Sequence, residues 1–328
     1  MISLGIESTA DNLGIGIVSS EHEVLANYVK VHVPPEGGIH PREAARHHSE
    51  YMGASIKTAL DQAGITMSDV DIISFAQGPG LGPCLRTGAT GARALASYLN
   101  KPLVGVNHCV AHIEIGRMAT GAKDPLTLYV SGGNTIVSGY ESGRYRIFGE
   151  TLDIAVGNCF DTFARAAGLE YPGGPDIERK AKLGSKLIPL PYAVKGMDLS
   201  YSGLLTSITT EYETGNHSIE DLCFSLQETA YAMLGEVTER ALAHTSKPEL
   251  LLTGGVAANK RLASMVRDIA EDHGAAPFVV PIKLAQDNGA MIAWTGIIAY
   301  NAGYRTPVES SYVNPNWRMD QVEIPWRN

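Results

Sequence analysis

Two histidines four residues apart, His108 and His112 in Val106-Asn107-His108-Cys109-Val110-Ala111-His112-Ile113-Glu114, are the strongest chemical signal in this 328-residue chain. On a helix, residues i and i+4 project from one face, so two imidazoles at that spacing can meet one metal ion. Ten histidines also make such a pair an ordinary coincidence, and His40, Arg46, His47 and His48 form another polar cluster. The H-E-x-x-H zinc peptidase pattern needs a general-base glutamate directly after its first histidine. Cys109 stands there instead, which disfavours that chemistry. Further ligands must come from distant segments, with the oxygen donors Asp287 and Tyr129 as candidates. A mixed imidazole and oxygen set suits iron, zinc or manganese better than calcium.

A second polar stretch runs through Asn158-Cys159-Phe160-Asp161 and on to Tyr171-Pro172-Gly173-Gly174-Pro175-Asp176-Ile177-Glu178. In one reading Asp161 lies near a helix start and serves the helix dipole, while the glycines make a turn. In the other, Asp161 and Glu178 bind a ribose or similar polar substrate, and the glycines allow it to come close.

These residues must be positioned by short strands and helices. Residues 2–18 read as a β-hairpin about Thr9-Ala10-Asp11-Asn12, and 126–139 as another about Ser131-Gly132-Gly133-Asn134. The stretch 70–76 reads as a strand leading through a Gly-rich loop into a helix over 87–99. The stretch 250–255 leads likewise into a helix that stops at Gly274. Two lobes, each opening with a hairpin, are therefore expected. Glycine at strand ends lets backbone N–H groups approach phosphate or carboxylate. The chain has no P-loop and no G-x-G-x-x-G in a Rossmann setting.

Composition bounds the alternatives. Hydrophobic residues at 44% and charged residues at 19% exclude a disordered chain and a charged coiled coil. Glycine is in excess, 35 of 328, and is expected to cluster in tight turns. Cys84, Cys109, Cys159 and Cys223 are widely spaced, which suits a reducing cytoplasm better than a disulfide framework. No signal peptide or membrane-spanning run is read. The net charge of −9 lacks the basic footprint of an autonomous nucleic-acid binder. Either the partner is not a nucleic acid, or basic residues cluster in the fold, or another protein supplies the charge.

Taken in order, LGIESTADNLGIGIV, HPREAARHH, QGPGLGPCLRTGATGARALA, VNHCVAHIEIGR, LYVSGGNT, GNCFDTFARAAG, YPGGPDIE, SYSGLLTSI, TGGVAANKRL, AQDNGAMIAW and SYVNPNWRMDQVEIPW cover nearly the whole chain. Together they resemble the universal tRNA threonylcarbamoyladenosine transferases, once called O-sialoglycoprotein endopeptidases. The HCVAHIEIGR segment, and Leu205 in SYSGLLTSI, resemble the archaeal and eukaryotic branch that works in the KEOPS complex.

The resemblance implies an α/β fold of the actin, sugar-kinase and chaperone-ATPase kind, with two duplicated mixed-sheet lobes of βββαβαβα topology and a nucleotide cleft. The lobes are expected at 1–118 and 119–305, with a tail, 306–328, packing back on the first. The implied reaction moves a threonylcarbamoyl group from threonylcarbamoyl-AMP to the adenosine 3′ of the anticodon in ANN-decoding tRNAs, releasing AMP. Metal ligation is implied for His108, His112, Tyr129 and Asp287, with iron or zinc as the usual ion. Tyr129, Val130, Ser131, Gly132 and Gly133 would lie against the donor, with Asp161, Gly174, Glu178 and Asn259 holding its adenosine part. Glu7, Ser8 and Asp11 would face the cleft, with no general base assigned. Glu7 stands where the superfamily usually has aspartate, which counts against ordinary ATP phosphotransfer. Implied partners are tRNA, an atypical small kinase that is fused in some archaea, and a small dimerising subunit on the first lobe. The competing readings are a metallopeptidase and a nucleotide-gated regulatory module.

Overall fold

The computed structural model describes residues 1–33 and 38–327. Packing divides them into two units. The first holds Met1–Ala119, Glu141–Tyr145 and the residues from Asp287 onward; the second holds Thr120–Tyr140 and Arg146–Gln286.

In the first unit, β1 (Ile2–Glu7) pairs antiparallel with β2 (Asn12–Ser19), Ile2 opposite Ser19 and Glu7 opposite Gly14. The hairpin turn falls on the polar link expected for it. Strand β3 (Val24–Val31) pairs with β2, and helix α1 (Pro41–Ala63) follows. Pro41 suits its first turn, and Gly64 ends it with a φ of 67°. Strand β4 (Ile72–Gly78), helix α2 (Gly82–Leu99), strand β5 (Leu103–Asn107) and helix α3 (His108–Thr120) complete a βββαβαβα run. The sheet order is β3-β2-β1-β4-β5, with β1, β4 and β5 parallel. Helix α2 starts five residues before the expected 87, because Pro83 fits a first helical turn.

The second unit repeats the frame. Strands β6 (Pro125–Val130), β7 (Thr135–Glu141) and β8 (Arg144–Glu150) lead into α4 (Val156–Ala166) and α5 (Gly173–Ala181). A two-residue pair, β9 (Val194–Lys195) and β10 (Asp198–Leu199), precedes α6 (Ser202–Thr214) and α7 (Ile219–Thr245). Strand β11 (Glu249–Thr253), α8 (Lys260–Asp272), β12 (Ala276–Val279) and the short α9 (Ile282–Ala285) follow. The order β12-β11-β6-β7-β8 mirrors the first sheet, again with an antiparallel hairpin beside three parallel strands. Its core joins Leu126 and Leu128 of β6 to Phe160 and Phe163 of α4 and Leu226 and Leu234 of α7.

Helix α10 (Gly289–Asn301) moves the expected boundary at 305 back to 287. Its sequence GAMIAWTGIIAYN is apolar on all sides, so it must be buried all round, and it packs in the first unit against β1 and β2. A Cβ on Gly16 would come 2.1 Å from the Ala290 nitrogen, and one on Gly289 2.0 Å from the Gly16 nitrogen. Part of the glycine excess therefore serves this helix-on-sheet contact, where tight turns had been expected to hold it.

The chain beyond α10 lies on the first unit as a strap. Thr306 takes up the edge of β5, its N–H donating to Leu103 O at 2.9 Å and its hydroxyl accepting from Gly105 N at 2.8 Å. Asn314 N donates to Gln77 O at 2.8 Å, and Gly80 N to Pro315 O at 3.1 Å. Residue 328 of the expected tail lies outside the described residues. Among the described residues no helix is long and apolar enough to cross a membrane.

Candidate metal centre and a second polar cluster

Strand β5 is buried and ends at Asn107, whose Oδ1 accepts from Val110 N at 3.1 Å and so caps α3. His108 and His112 then fall on one face of α3, ring centroids 4.7 Å apart, both buried. Asp287 stands just ahead of α10, whose N-cap Asn288 accepts from Met291 N at 3.0 Å. Its Oδ1 lies 3.0 Å from His112 Nε2 and 3.6 Å from His108 Nε2. Each of the three offers a ligand atom within 4.8 Å of the others, and no other such His, Cys, Asp and Glu group occurs among the described residues. Two imidazoles and a carboxylate oxygen fit a borderline transition-metal ion.

Glu7 supports this group from behind. At the end of β1 it is fully buried, and its Oε2 lies 3.0 Å from His108 Nδ1. Its Oε1 accepts from Thr9 N at 2.7 Å and Thr9 Oγ1 at 2.5 Å. A carboxylate on Nδ1 holds that nitrogen's proton and leaves Nε2 as the coordinating atom, the arrangement common behind metal-bound histidines. Burial pulls His108 down, but Glu7 and Asp287 outweigh it and raise the imidazolium to about 9. Burial keeps His112 below the usual histidine value against the pull of Asp287. Burial would raise Asp287, yet the two imidazoles bring it to about 2. A proton on His108 thus stands where a cation would compete for the same negative charge.

Neither of the other first-turn candidates joins the donor group. Ser8 is buried against α2, where a Cβ on Gly88 would meet its Oγ at 2.0 Å. Asp11 is half-buried, and its carbonyl accepts from His32 N at 3.0 Å. Burial pushes the Cys109 thiol up to about 12, so it offers no base at the peptidase position.

The remaining candidates lie in the second unit. Tyr129, on β6, is buried, and its hydroxyl accepts from Asn134 Nδ2 at 3.2 Å. Val130 O lies 2.1 Å from where a Cβ on Gly254 would stand, and Gly254 has a φ of 94°. Ser131 Oγ accepts from Gly133 N at 3.3 Å and Asn134 N at 3.0 Å, so these two N–H groups already have partners within the turn. Gly132 and Gly133 are exposed, with no heavy atom within 4 Å of a Cβ on either.

Asp161 lies in the middle of α4 rather than near its start, and Gly173-Gly174-Pro175 form the first turn of α5 rather than a free turn. The two helices meet where Asp161 Oδ1 accepts from Gly173 N at 2.7 Å. Burial raises the Asp161 carboxyl, outweighing those N–H groups and Arg165. From α5, Glu178 Oε1 accepts from Lys260 N at 3.3 Å and pairs with Lys182 at 2.9 Å. Lys260 adjoins Asn259, the N-cap of α8, whose Oδ1 accepts from Arg261 N and Leu262 N at 2.9 and 3.1 Å. Asp161, Gly174, Glu178 and Asn259 thus gather about two helix starts, those of α5 and α8. Asn259 Nδ2 donates to Gln227 Oε1 at 3.0 Å, a residue that sequence reading missed. Its signal was a polar residue in the apolar run LCFSLQETAYAML of α7, which buries it.

The duplicated frame is that of the actin and sugar-kinase class. The solved HypF of Thermococcus kodakarensis superposes with a TM-score of 0.66 at 15% identity, over 94% of this chain and 49% of that one. A ROK family glucokinase from Streptomyces griseus superposes with a TM-score of 0.51 at 12% identity, over 92% and 100%. Those likenesses establish the fold alone. A family model described as TsaD, tRNA N6-adenosine threonylcarbamoyltransferase, matches residues 22–294. The tRNA N6-adenosine threonylcarbamoyltransferase of Thermococcus kodakarensis is 58% identical over 99% of this chain and 100% of that protein. A probable bifunctional tRNA threonylcarbamoyladenosine biosynthesis protein of Methanobrevibacter smithii is 55% identical over the whole chain, which spans 61% of its length. The chain belongs to the TsaD family of tRNA N6-adenosine threonylcarbamoyltransferases, and it is a transferase acting on tRNA.

Proposed function

We propose that His108, His112 and Asp287 hold one transition-metal ion, iron or zinc, and that threonylcarbamoyl transfer depends on it. The observation that carries this is the group of two buried imidazole nitrogens and one half-buried carboxylate oxygen, with Glu7 behind His108. Tyr129 is the further oxygen ligand that the family resemblance assigns. When bound, the ion would anchor the donor and polarise its carbonyl as a Lewis acid.

The donor is threonylcarbamoyl-AMP, an activated mixed anhydride. The exocyclic amine of the adenosine 3′ of the anticodon attacks its carbamoyl carbon; a C–N bond forms, the C–O bond to phosphate breaks, AMP leaves, and the amine loses a proton. Protein residues then have to align a weak nucleophile and exclude water. Asp161, Gly174, Glu178 and Asn259 are proposed to hold the adenosine part, which their convergence supports. Val130, Ser131, Gly132 and Gly133 are proposed to lie along the donor, which the open space at the two glycines supports. Ser8 and Asp11 remain proposed cleft residues without an assigned proton-transfer role. An adenine nucleotide is proposed to occupy this region in the absence of donor.

A chain of net charge −9 is suited to act on tRNA beside partners that bring basic surface. KEOPS subunits fit that role: an atypical small kinase, fused in some archaea, and a small dimerising subunit on the first lobe. The bifunctional relatives, longer than this chain, support a fused partner, which the family resemblance assigns to the kinase. A cytoplasmic setting is proposed, in keeping with this substrate.

The test is tRNA modification, with all partner subunits present, by a His108→Ala/His112→Ala variant shown to be folded. Loss of bound metal together with transfer is expected. Retained modification would overturn the metal's role.

A further inference from the structure

The strap grips helix α3 on both sides of its histidine pair. Ahead of His108, Asn107 Nδ2 donates to Trp317 O at 2.9 Å while its Oδ1 caps the helix. Beyond His112, the buried carboxylate of Glu114 is closed in completely. Its Oε1 accepts from Trp326 Nε1 at 3.0 Å and from Tyr145 Oη at 2.6 Å, and its Oε2 from Arg117 Nη1 at 2.6 Å. Arg327 Nη1 donates in turn to Tyr145 Oη at 3.3 Å.

A buried carboxylate is a poor way to gain stability, because its desolvation offsets much of what its partners return; an apolar plug would serve better. What directional bonds add is one fixed placement of the groups that make them. Here the fixed element is the turn and a half of α3 that carries both histidines. The partners come from positions about 30 and 210 residues away in sequence.

We propose that Trp326 and Tyr145, acting through Glu114, are positioning residues for the metal site, and that the C-terminal strap sets metal affinity by fixing the placement of α3. The inference rests on the reading that His108 and His112 bind a metal. Neither aromatic residue is a ligand. Each supplies a hydrogen-bond donor that a phenylalanine lacks, so Trp326→Phe and Tyr145→Phe remove a donor and keep an aromatic ring.

The test is cobalt(II) titration of the metal-free chain, followed by its visible absorption, with the melting temperature of the metal-free form measured alongside. Groups bonded directly to metal ligands typically govern about 10- to 100-fold in affinity, and these two act one step further out, so a loss at the low end, about tenfold, and an altered cobalt spectrum are expected in both variants. Metal-free melting is expected to shift by no more than about 4 °C. Arg93→Ala loosens the strap at Ser311, away from α3, and is expected to leave cobalt affinity unchanged. Affinity within about twofold of the parent in both phenylalanine variants would overturn the proposal. So would an equal loss in Arg93→Ala, which would make the strap a general brace. If Trp326→Phe does not fold, Tyr145→Phe decides alone. Cobalt binding that survives His108→Ala/His112→Ala would instead refute the underlying metal assignment, so the two failures are distinguishable.

Discussion

The first hairpin turns of the two units occupy equivalent places in sheets of equivalent order, yet one is filled and the other open. At and after the end of β1, Glu7, Ser8 and Thr9 are all buried, and the Glu7 carboxylate serves Thr9 and His108 of the same unit. After β6, Gly132 and Gly133 are exposed, with open space where side chains would be. The same frame thus takes two forms: one turn backs His108 with a buried carboxylate, and the other leaves open space at two exposed glycines. The frame is shared, and side-chain size at the turn decides whether it is filled or open.

The sharpest way to break this contrast is Glu7→Gln, which keeps the shape of the filled turn and removes its charge. Metal affinity is expected to fall about 10- to 100-fold in chelator competition, while metal-free folding persists. Unchanged affinity would show that the turn does not brace His108. The same carboxylate sets a pH dependence. Because Glu7 and Asp287 hold the His108 proton up to about 9, metal affinity is expected to rise with pH from 6 to 9, by up to about tenfold per unit.

A second contrast needs only alanine. Gly88→Ala drives a Cβ into Ser8 and is expected to cost about 1–3 kcal/mol in denaturant unfolding. Gly132→Ala meets no atom, so its stability should stay within about 0.5 kcal/mol of the parent while transfer falls. Equal stability losses would erase the distinction between filled and open turns. In the second unit, Asp161→Asn keeps the size of a carboxyl that anchors Gly173, and is expected to weaken AMP binding about tenfold without altering metal content.

The smallest effect concerns His48, which ties α1 to the first turn by donating from Nε2 to Ala10 O at 2.9 Å. Burial lowers its pKa to about 4. Between about 4 and 6.5 the unfolded chain therefore binds more protons than the folded one, and stability is lost as pH falls through that window. The loss, read in denaturant unfolding at about pH 4.5 against about pH 7, should disappear in His48→Gln.

Local pattern made much of this legible. The hairpins and the histidine pair show in short spacings, and the family's motifs run along the chain in order. What escaped was what distance in sequence conceals. Trp326 meets Glu114 across 212 positions, and nothing in either segment announces the other. Gly16, in a strand run, and Gly289 give no sign in the sequence that helix and strand backbones touch there. Asp287 was nameable as an oxygen donor, but its place beside the histidines depends on α10 leaving the second sheet's unit for the first.

His108, His112 and Asp287 are proposed to hold a metal. Anomalous diffraction at the absorption edge of the metal found in the purified chain tests it most directly. A single strong peak at about 2.0–2.2 Å from both histidine Nε2 atoms and the Asp287 carboxylate is predicted. A fully active preparation with its anomalous peak elsewhere, or with none, would contradict the account.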